Sequence, residues 1–320
     1  MKLMAMMDFP NVEAFLAIVR LGAFTRAADA LHVSQPALSR RIGLLEHELG
    51  QPVFERGRTG ARLTDAGSAF LPHAEAALAS LRDGAAAVEA LAHGETGRLT
   101  LAIVGTLAST DVTAQLRRFR DDHPRLDFLL RTGNSAEVSG LVRRGEAALG
   151  LRYFADAARD VVSRRLYGEP LVVVAAAGHP LGRARRIAPA RLREEAWVAF
   201  SPRRGSAIDP FGQVVARSLA AAGLDESKRV VIDSLTAQKR LVEAGFGVAL
   251  VPESSVREEL ALQTLRRLDV PALRATVDVT LIHRKHAVLG PAGQRLVDVL
   301  SKPPAETRAG RSRPARASRR

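Results

Sequence analysis

Four residues share the outward face of the N-terminal half of one predicted helix: Gln35, Pro36, Ser39 and Arg40. Glutamine can form two hydrogen bonds with the edge of adenine and arginine two with guanine, while serine can bind a base or a phosphate. This set has the chemistry to read base pairs in the major groove of duplex DNA. The alternative is an ordinary helical hairpin with a polar surface.

The elements that must position this face are two short helices joined by a tight turn. Thr25 is the predicted N-cap of the first helix, which ends at Leu31, and Ser34 is the predicted N-cap of the second. His32 and Val33 form the turn between them. Such a pair is typical of a helix-turn-helix motif, whose second helix enters the major groove. The residues expected to face inward recur at three-to-four-residue spacing: Ala27, Ala28, Leu31, Val33, Leu38, Ile42 and Leu45.

A short hairpin is predicted after the second helix. Gly57 and Gly60 mark its turn, and Arg56, Arg58 and Arg62 surround that turn. Arginines at a hairpin tip can reach backbone phosphates or the minor groove. The pattern therefore predicts a wing beside the helix-turn-helix.

At this point the chain resembles the LysR-type transcriptional regulators over about sixty residues, in the family's order and spacing. The resemblance implies a winged helix-turn-helix that binds double-stranded DNA. The chain departs from the family pattern in two places. The wing has the sequence Arg58-Thr59-Gly60, so the wing residue that contacts DNA is not identified, and residues 303–320 lie outside the family pattern. The matching residues are Phe15, Ala23-Phe24-Thr25-Arg26-Ala27-Ala28, Ser34-Gln35-Pro36-Ala37-Leu38-Ser39, Leu45-Glu46, Leu49-Gly50, Val53-Phe54-Glu55-Arg56 and Leu63-Thr64-Asp65-Ala66-Gly67. The predicted DNA-binding residues are Thr25, Arg26, Ser34, Gln35, Pro36, Ser39, Arg40, Arg56, Arg58 and Arg62.

The positive charge of the chain is unevenly spread. The net charge is +13, but residues 1–66 carry only +1 and residues 302–320 carry +6. The basic tail, 303–320, is predicted to be disordered, and it either adds nonspecific DNA affinity or is simply solvated. The inference of DNA binding therefore depends on where six arginines lie and not on bulk charge. These are Arg26, Arg40, Arg41, Arg56, Arg58 and Arg62.

The composition indicates a globular protein with two or three cores. Hydrophobic residues make up 47% of the 320 residues, and no apolar run reaches the roughly 18 residues of a membrane span. The first eight residues lack the apolar core of a signal peptide. Because the chain has no cysteine, disulfides, thiolate zinc sites and cysteine nucleophiles are excluded. We expect a cytoplasmic protein without a membrane partner.

A long alanine-rich helix is predicted over Ala66–Leu91, with Thr64 as its N-cap. Its apolar stripe either forms a seam between two copies or packs on its own domain. The family resemblance implies antiparallel pairing of two such helices in a homodimer or homotetramer. The stripe contains Phe70, Ala74, Ala77, Leu81, Gly84, Val88 and Leu91.

From residue 99 onward, apolar strands alternate with helices, which predicts mainly parallel sheets buried on both faces. The predicted strands are Leu99–Val104, Asp127–Arg131, Ala148–Leu151, Leu171–Ala176, Trp197–Ser201, Val230–Asp233, Val248–Val251 and Val277–His283. The predicted helices are Ser109–Asp121, Ala136–Arg143, Pro210–Ala222, Leu235–Ala244 and Pro291–Leu300.

The resemblance implies an α/β protein with an N-terminal winged helix-turn-helix and an effector domain of two subdomains like those of periplasmic binding proteins. The expected parts are a DNA-binding domain (1–65), a linker helix and hinge (66–95), an effector domain (96–302) with subdomains 97–163 plus 274–302 and 164–273, and the tail (303–320).

Polar residues gather at the predicted strand-to-helix junctions of this region. Hydroxyls, backbone N–H groups and positive helix ends make such junctions good anion sites, although each residue alone is more often a plain N-cap. We expect a small, anionic effector there. Arg152, at the end of a strand, adds a positive charge or forms a structural salt bridge. The predicted effector-binding residues are Thr106, Ser109, Asn134, Arg152, Ser201, Arg204 and Ser206.

The sequence contains no catalytic or cofactor motif that would support an enzyme. His283 and His286 are a weak candidate for a metal pair, and we expect neither a metal nor a cofactor. A transporter's solute-binding protein would use only the α/β region, and an enzyme would need an acid–base or nucleophile pair. The favoured reading is an effector-controlled transcriptional regulator, for which RNA polymerase is a candidate partner.

Overall fold

The computed structural model describes residues 8–57, 60–93, 97–108, 110–204 and 207–302. The chain divides into an N-terminal unit, residues 1–85 with 143–145, and a C-terminal unit, residues 86–142 with 146–320. The first elements along the chain are α1 (Phe9–Leu21), α2 (Phe24–Ala30), α3 (Gln35–Leu49), β1 (Phe54–Gly57), β2 (Gly60–Leu63) and α4 (Asp65–His93).

Local capping explains where these helices begin. Ser34 caps α3 as predicted, because its Oγ accepts a hydrogen bond from the Ala37 backbone N–H at 3.3 Å. Thr64 caps α4, accepting from the Gly67 N–H at 3.0 Å. The predicted cap at Thr25 is wrong: α2 begins one residue earlier, with Ala23 in the extended cap position and without a side-chain cap.

Aromatic rings join these elements into one core. The Phe15 ring of α1 lies 5.3 Å from that of Phe54 on β1 and 5.2 Å from that of Phe70 on α4, between ring centroids. Phe24 of α2 contacts Phe54 at 5.8 Å. The helices and the wing therefore share one hydrophobic core.

The apolar stripe of α4 divides into two parts. Phe70 and Ala74 pack into the N-terminal core, whereas Leu81 and Val88 are 57% and 67% exposed. Ala77 and Gly84 are exposed as well, and the side chain of Leu91 lies outside the described residues.

The C-terminal unit follows with alternating strands and helices, whose predicted ends agree with the structure to within one or two residues in most cases. In order these are β3 (Arg98–Val104), α5 (Thr110–Asp122), β4 (Asp127–Gly133), α6 (Ser135–Arg143), β5 (Leu149–Tyr153), β6 (Val161–Ala176), β7 (Trp197–Phe200), β8 (Arg203–Arg204), β9 (Ala207–Ile208), α7 (Pro210–Ala221), β10 (Arg229–Ile232), α8 (Leu235–Glu243), β11 (Ala249–Pro252), α9 (Arg257–Ala261), β12 (Leu265–Leu268), β13 (Ala275–Arg284) and α10 (Gly290–Ser301).

The prediction of mainly parallel sheets is wrong. The main sheet has the order β11-β6-β13-β5-β3-β4, and β12 also pairs with β6. Only the β3–β4 and β3–β5 pairs in it are parallel, while β13 pairs antiparallel with β5 and β6, and β11 and β12 do so with β6. Apolar runs indicate strands buried on both faces, a condition that β5, β11 and the second half of β6 also meet, so the pattern could not fix strand direction.

The two long strands β6 and β13 explain this arrangement. They run side by side over ten paired positions, from Ala275–Leu171 to Arg284–Val161, with an irregularity between Val279 and Thr280. The first ten residues of β6 were not predicted, because Gly168 and polar residues interrupt its pattern.

A second, parallel pair of strands, β7 and β10, lies beside β11. Backbone hydrogen bonds connect β7 to the residue before β11, from Val198 N to Val248 O at 2.9 Å and from Val248 N to Ala196 O at 2.8 Å. No helix in the described part of the chain has both the length and the hydropathy of a membrane-spanning segment.

Candidate functional sites

The first candidate site is the N-terminal half of α3. Leu38, Ile42 and Leu45 are buried against α1 and α2, so the opposite face of the helix points to solvent. Four predicted residues lie together on that face, which we call the reading face: Gln35, Pro36 and Arg40, which are exposed, and Ser39, which is partly exposed. Ser34 serves as the helix cap.

The other predicted DNA-binding residues lie on α2 and the wing. Thr25 and Arg26 are exposed on α2, and Arg62 is exposed on β2. Arg56 belongs to β1, but its side chain lies outside the described residues, as does the whole of Arg58.

Two contacts that the sequence did not reveal hold the wing in place. The Glu46 carboxylate on α3 accepts the Val53 N–H at 2.9 Å and the Phe54 N–H at 3.4 Å. On the other strand, the Ala61 N–H donates to the Gly22 carbonyl at 3.2 Å. Gly60 has a φ of +119° and approaches so closely that a Cβ there would lie 2.8 Å from the Gly22 oxygen. The wing is therefore fixed to both α3 and the α1–α2 turn.

The second candidate site is a cavity of about 460 Å³ within the C-terminal unit. It lies at the carboxyl ends of β3, β4, β7 and β10, where β4 and β10 lead directly to α6 and α8. This position is typical of ligand sites in open α/β sheets. Its described hydroxyl lining consists of Thr106, Thr132, Tyr153, Ser135, Ser201, Ser234 and Thr236.

The structure brings together only some of the predicted effector-binding residues. Thr106, Asn134 and Ser201 line the cavity. Ser109 and Ser206 lie outside the described residues, and Arg204 belongs to β8 but its side chain is not described.

Several polar groups around the cavity cap helices. The Asn134 Oδ1 accepts the N–H groups of Ala136 at 2.9 Å and Glu137 at 3.0 Å, and Glu137 Oε2 accepts the Asn134 N–H at 2.8 Å. Asp209 and Ser234 cap α7 and α8. The plain N-cap alternative therefore describes Asn134 well.

Arg152 does not line the cavity. Its Nη1 donates to Asp156 Oδ2 at 2.5 Å and to the Ser139 hydroxyl at 2.7 Å, and its side chain is 8% exposed. Burial lowers the pKa of Arg152, while the Asp156 carboxylate acts in the opposite direction. In the structure Arg152 therefore forms the structural salt bridge that was the alternative to effector binding. The guanidinium charge that we expected to face the effector is paired with Asp156.

A buried pair of hydroxyl groups lies at the wall of the cavity. The Oγ1 of Thr106 and the phenol oxygen of Tyr153 are 2.9 Å apart, and both side chains are buried. Burial raises the pKa of Tyr153 well above its ordinary value near 10, although the hydrogen bond from Thr106 opposes this shift. The phenol therefore stays protonated at neutral pH and can donate a hydrogen bond.

Aromatic rings complete the wall. Tyr153 stacks on Phe211 with ring centroids 5.0 Å apart, and Phe200 meets Phe211 edge-on at 6.4 Å. Three carboxylates also belong to the described lining, those of Glu137, Asp209 and Asp233, and none of the described lining residues is a lysine or arginine.

The weak metal candidate gains no support from this structure. The Nδ1 of His283 lies 2.8 Å from the Arg284 carbonyl oxygen. Across the described residues, there is no group of three or more histidines, aspartates or glutamates arranged to hold a metal ion.

Known proteins resemble the chain over nearly its whole length. The HTH-type transcriptional regulator TfdS of Cupriavidus pinatubonensis is 31% identical over 292 residues, which cover 85% of this chain and 97% of TfdS. The regulator CbbR of Sinorhizobium medicae is 32% identical over 306 residues, covering 90% of this chain and 94% of CbbR. The structure of CbnR, a LysR family transcriptional regulator, is similar with a TM-score of 0.61 at 26% identity, covering 92% of this chain and 98% of CbnR.

Two family models match the chain, one in its N-terminal part and one in its C-terminal part. A model described as "Bacterial regulatory helix-turn-helix protein, lysR family" matches residues 9–68, and one described as "LysR substrate binding domain" matches residues 92–302. The relatives are named as transcriptional regulators and not as enzymes. The chain belongs to the LysR family of DNA-binding transcriptional regulators with an effector-binding domain.

Proposed function

We propose that this regulator reads a specific duplex sequence with the reading face and responds to a small effector with a carboxylate, bound in the 460 Å³ cavity. The proposed domains are 1–65, 66–95 and 96–302, with the basic tail at 303–320. Within the proposed effector domain, subdomain 97–163 plus 274–302 and subdomain 164–273 would be joined twice, once inside β6 and once just before β13.

The Thr106–Tyr153 pair carries the proposal for an acceptor-bearing effector. Two hydroxyl groups contain two O–H donors, and a single hydrogen bond between them uses one. Whichever way that bond runs, one donor remains on a buried pair that lines the cavity. A buried donor without an acceptor is costly, so a ligand oxygen at this place would be favoured.

The helix ends around the cavity support a negative charge on that oxygen. α6, α7 and α8 all begin at the cavity, and helix N-termini carry a partial positive charge. The three lining carboxylates oppose this effect, but Glu137 and Asp209 already accept backbone N–H groups. Arg152 is left out of the proposed contacts because Asp156 engages its guanidinium.

A second copy of the chain is the proposed partner of the exposed stripe on α4. Leu81 and Val88 are exposed seven positions apart on α4, and an apolar stripe of this spacing is typical of a helix–helix interface. The resulting dimer would present two reading faces to DNA, and a tetramer would follow from pairing of dimers. One crystal structure of CbnR holds the full-length protein in complex with its target DNA, which agrees with this arrangement of functions.

Effector control then requires that the ligand bind one arrangement of the oligomer more tightly than another. A tenfold shift in DNA affinity needs a difference of only about 1.4 kcal/mol between the free energies with which the effector binds the two arrangements. RNA polymerase is the proposed downstream partner.

A thermal-shift screen of small metabolites on the full-length protein tests the effector site. We expect the stabilising compounds to be carboxylates, and we expect Thr106→Val and Tyr153→Phe to lose most of the shift while retaining DNA binding. Thr100→Val is the matched control, since it removes a buried hydroxyl from β3 that does not line the cavity. Stabilisation that survives both cavity substitutions, or hits that are all amines without an acceptor oxygen, would refute the proposed site.

A further inference from the structure

A basic loop on the C-terminal unit is not explained by DNA reading or by effector binding. Between Glu169 and Glu194 the chain contains five arginines and no acidic residue. Three of these, Arg183, Arg185 and Arg186, follow one another within four positions and are all exposed. We call these three residues the basic loop.

The basic loop is held firmly by the fold. Leu181 and Ile187, on either side of it, are buried in the main hydrophobic core. The Ile187 N–H donates to the Asp269 carbonyl at 2.8 Å, and the Ala184 N–H donates to the Leu181 carbonyl at 3.1 Å. Its arginines therefore project from a defined backbone rather than from a free strand of chain.

A fourth arginine extends the positive surface. Arg266 of β12 is exposed and donates from Nη1 to the Gly182 carbonyl at 3.3 Å. Gly182 is needed for this approach, because a Cβ there would lie 2.5 Å from the Arg266 side chain. Arg266 is thereby placed directly beside the basic loop.

These positive charges lack counter-charges within the described molecule. None of the three loop arginines has a carboxylate partner there, whereas exposed arginines elsewhere in the unit commonly do. Two carboxylates of neighbouring segments are engaged elsewhere: Glu195 pairs with His179, and Asp269, whose carbonyl accepts the Ile187 N–H, pairs with Arg274. Crowded like charges on a rigid backbone repel one another, so an external polyanion would relieve the repulsion.

We propose that the basic loop, together with Arg266, binds the phosphate backbone of duplex DNA as a second, sequence-independent contact of this regulator. Arginine suits this task because its guanidinium bonds a phosphate through two N–H groups. DNA is the polyanion that the N-terminal domain already brings to the protein. Phosphate contacts carry no sequence information, so the basic loop adds affinity without changing site preference.

The salt dependence of binding tests this proposal on the full-length protein. The probe is a long duplex of mixed sequence, and the variant is the triple substitution Arg183→Gln, Arg185→Gln and Arg186→Gln. Each phosphate contact contributes a slope of about 0.9 to log K against log salt concentration, so losing three lowers the slope by roughly 2.7. Sequence preference among short duplexes should stay unchanged.

A matched control separates local contacts from bulk charge. The triple substitution Arg98→Gln, Arg165→Gln and Arg274→Gln removes the same charge from exposed arginines of the same unit that already have carboxylate partners. We expect the control to keep the slope of the parent protein. The proposal is overturned if the slope of log K against log salt concentration falls equally in both variants, or if it does not fall in the basic-loop variant.

A second probe addresses the other class of polyanion. If the basic-loop variant binds DNA like the parent but loses affinity for polyglutamate, the surface belongs to an acidic protein and the proposal fails. The basic-loop variant should melt at the temperature of the parent, because no described contact within the protein uses the substituted loop side chains.

Discussion

Within the described N-terminal unit Asn11 is the only polar residue that is buried, whereas the C-terminal unit buries polar and charged side chains throughout its sheet and loops. Thr106, Arg152, Glu169 and Arg284 are examples of the second kind. The residues of the reading face, by contrast, lie in solvent around a core that is apolar apart from Asn11. The two units thus keep their polar chemistry in opposite places.

For Thr106, which lines the cavity, the difference matches the sizes of the two proposed ligands; Arg152, Glu169 and Arg284 do not line the cavity. A DNA groove is read by a surface that enters it, so the reading residues need no enclosing cavity. A small effector is held by enclosure, so the groups that bind it are themselves buried and need partners when no ligand is present. Substitutions on the reading face should therefore change binding alone, while substitutions in the C-terminal unit should change stability as well.

The largest expected effect is the loss of oligomerisation when the exposed stripe of α4 is substituted. Replacing Leu81 and Val88 by aspartate would bury unpaired charges at the proposed seam, which a small interface cannot absorb. We expect the double variant to sediment as a monomer that remains folded. The control replaces Leu262 and Val288, which are exposed to a similar degree at 67% and 70%, by aspartate in the same way. An unchanged oligomer in the α4 variant would show that the seam lies elsewhere.

The next largest effect should be the loss of stability when the buried ion pair of the C-terminal unit is broken. Arg152→Ala removes the guanidinium from Asp156, whose side chain is 12% exposed and still accepts the Ala158 N–H, so we expect a cost near the lower end of the about 3–5 kcal/mol typical of a broken buried pair. The double variant Arg152→Ala, Asp156→Ala should regain part of this loss, and urea unfolding of all four proteins measures the coupling. If Arg152→Ala leaves stability unchanged but abolishes binding of anionic ligands, Arg152 belongs to the effector site after all.

Substitution on the reading face should affect binding without affecting stability. Arg40→Ala removes one proposed base contact and should cost about 1–3 kcal/mol at the preferred duplex, with relaxed preference at one base position. Arg20→Ala is the control, since Arg20 is an exposed arginine in the last turn of α1 and does not belong to the reading face. Fluorescence titration measures the affinities. Equal affinity of the Arg40 variant and the parent for every duplex would exclude this face.

The same contrast explains what the sequence could predict. The reading face was predictable because the apolar spacing of α2 and α3 identifies the buried face of each helix. The remaining residues must then face solvent. The cap at Thr25 was wrong because such spacing does not locate a helix start to the residue. Glu46 was missed as a wing support, since its acceptor role depends on backbone N–H groups seven and eight positions away.

The cavity was less predictable for a physical reason. Thr106, Asn134 and Ser201 were found because they follow strands, and strand ends of an α/β sheet converge. Tyr153 ends a buried strand and reads as core in the sequence, and its partner Thr106 is 47 positions away. Arg152 stands next to it in sequence, but neighbouring residues on a strand face opposite ways, which is why only Tyr153 reaches the cavity.

The smallest expected effect is a pH dependence confined to the C-terminal unit. The Glu169 carboxyl is 5% exposed and accepts the Ser254 backbone N–H at 2.9 Å. Burial raises its pKa above the ordinary value of 4.5, Ser254 and Arg257 oppose the shift, and Glu253 adds to it. The folded protein therefore keeps this proton at a pH where the unfolded chain has lost it.

The sign of the effect follows from this difference. Stability from the protonated Glu169 is complete below pH 4.5 and declines as the pH rises toward the raised pKa of the folded state. Glu169→Gln keeps an acceptor for Ser254 and cannot ionise, so its stability relative to the parent should increase over that range. Glu243→Gln should behave oppositely and at lower pH, because the Thr264 hydroxyl and Arg240 lower the pKa of Glu243. Its stability relative to the parent should decrease as the pH rises toward 4.5. Denaturant unfolding between about pH 3 and pH 7 measures both differences. Parallel curves for Glu169→Gln and the parent would mean that Glu169 ionises equally in the folded and unfolded chains.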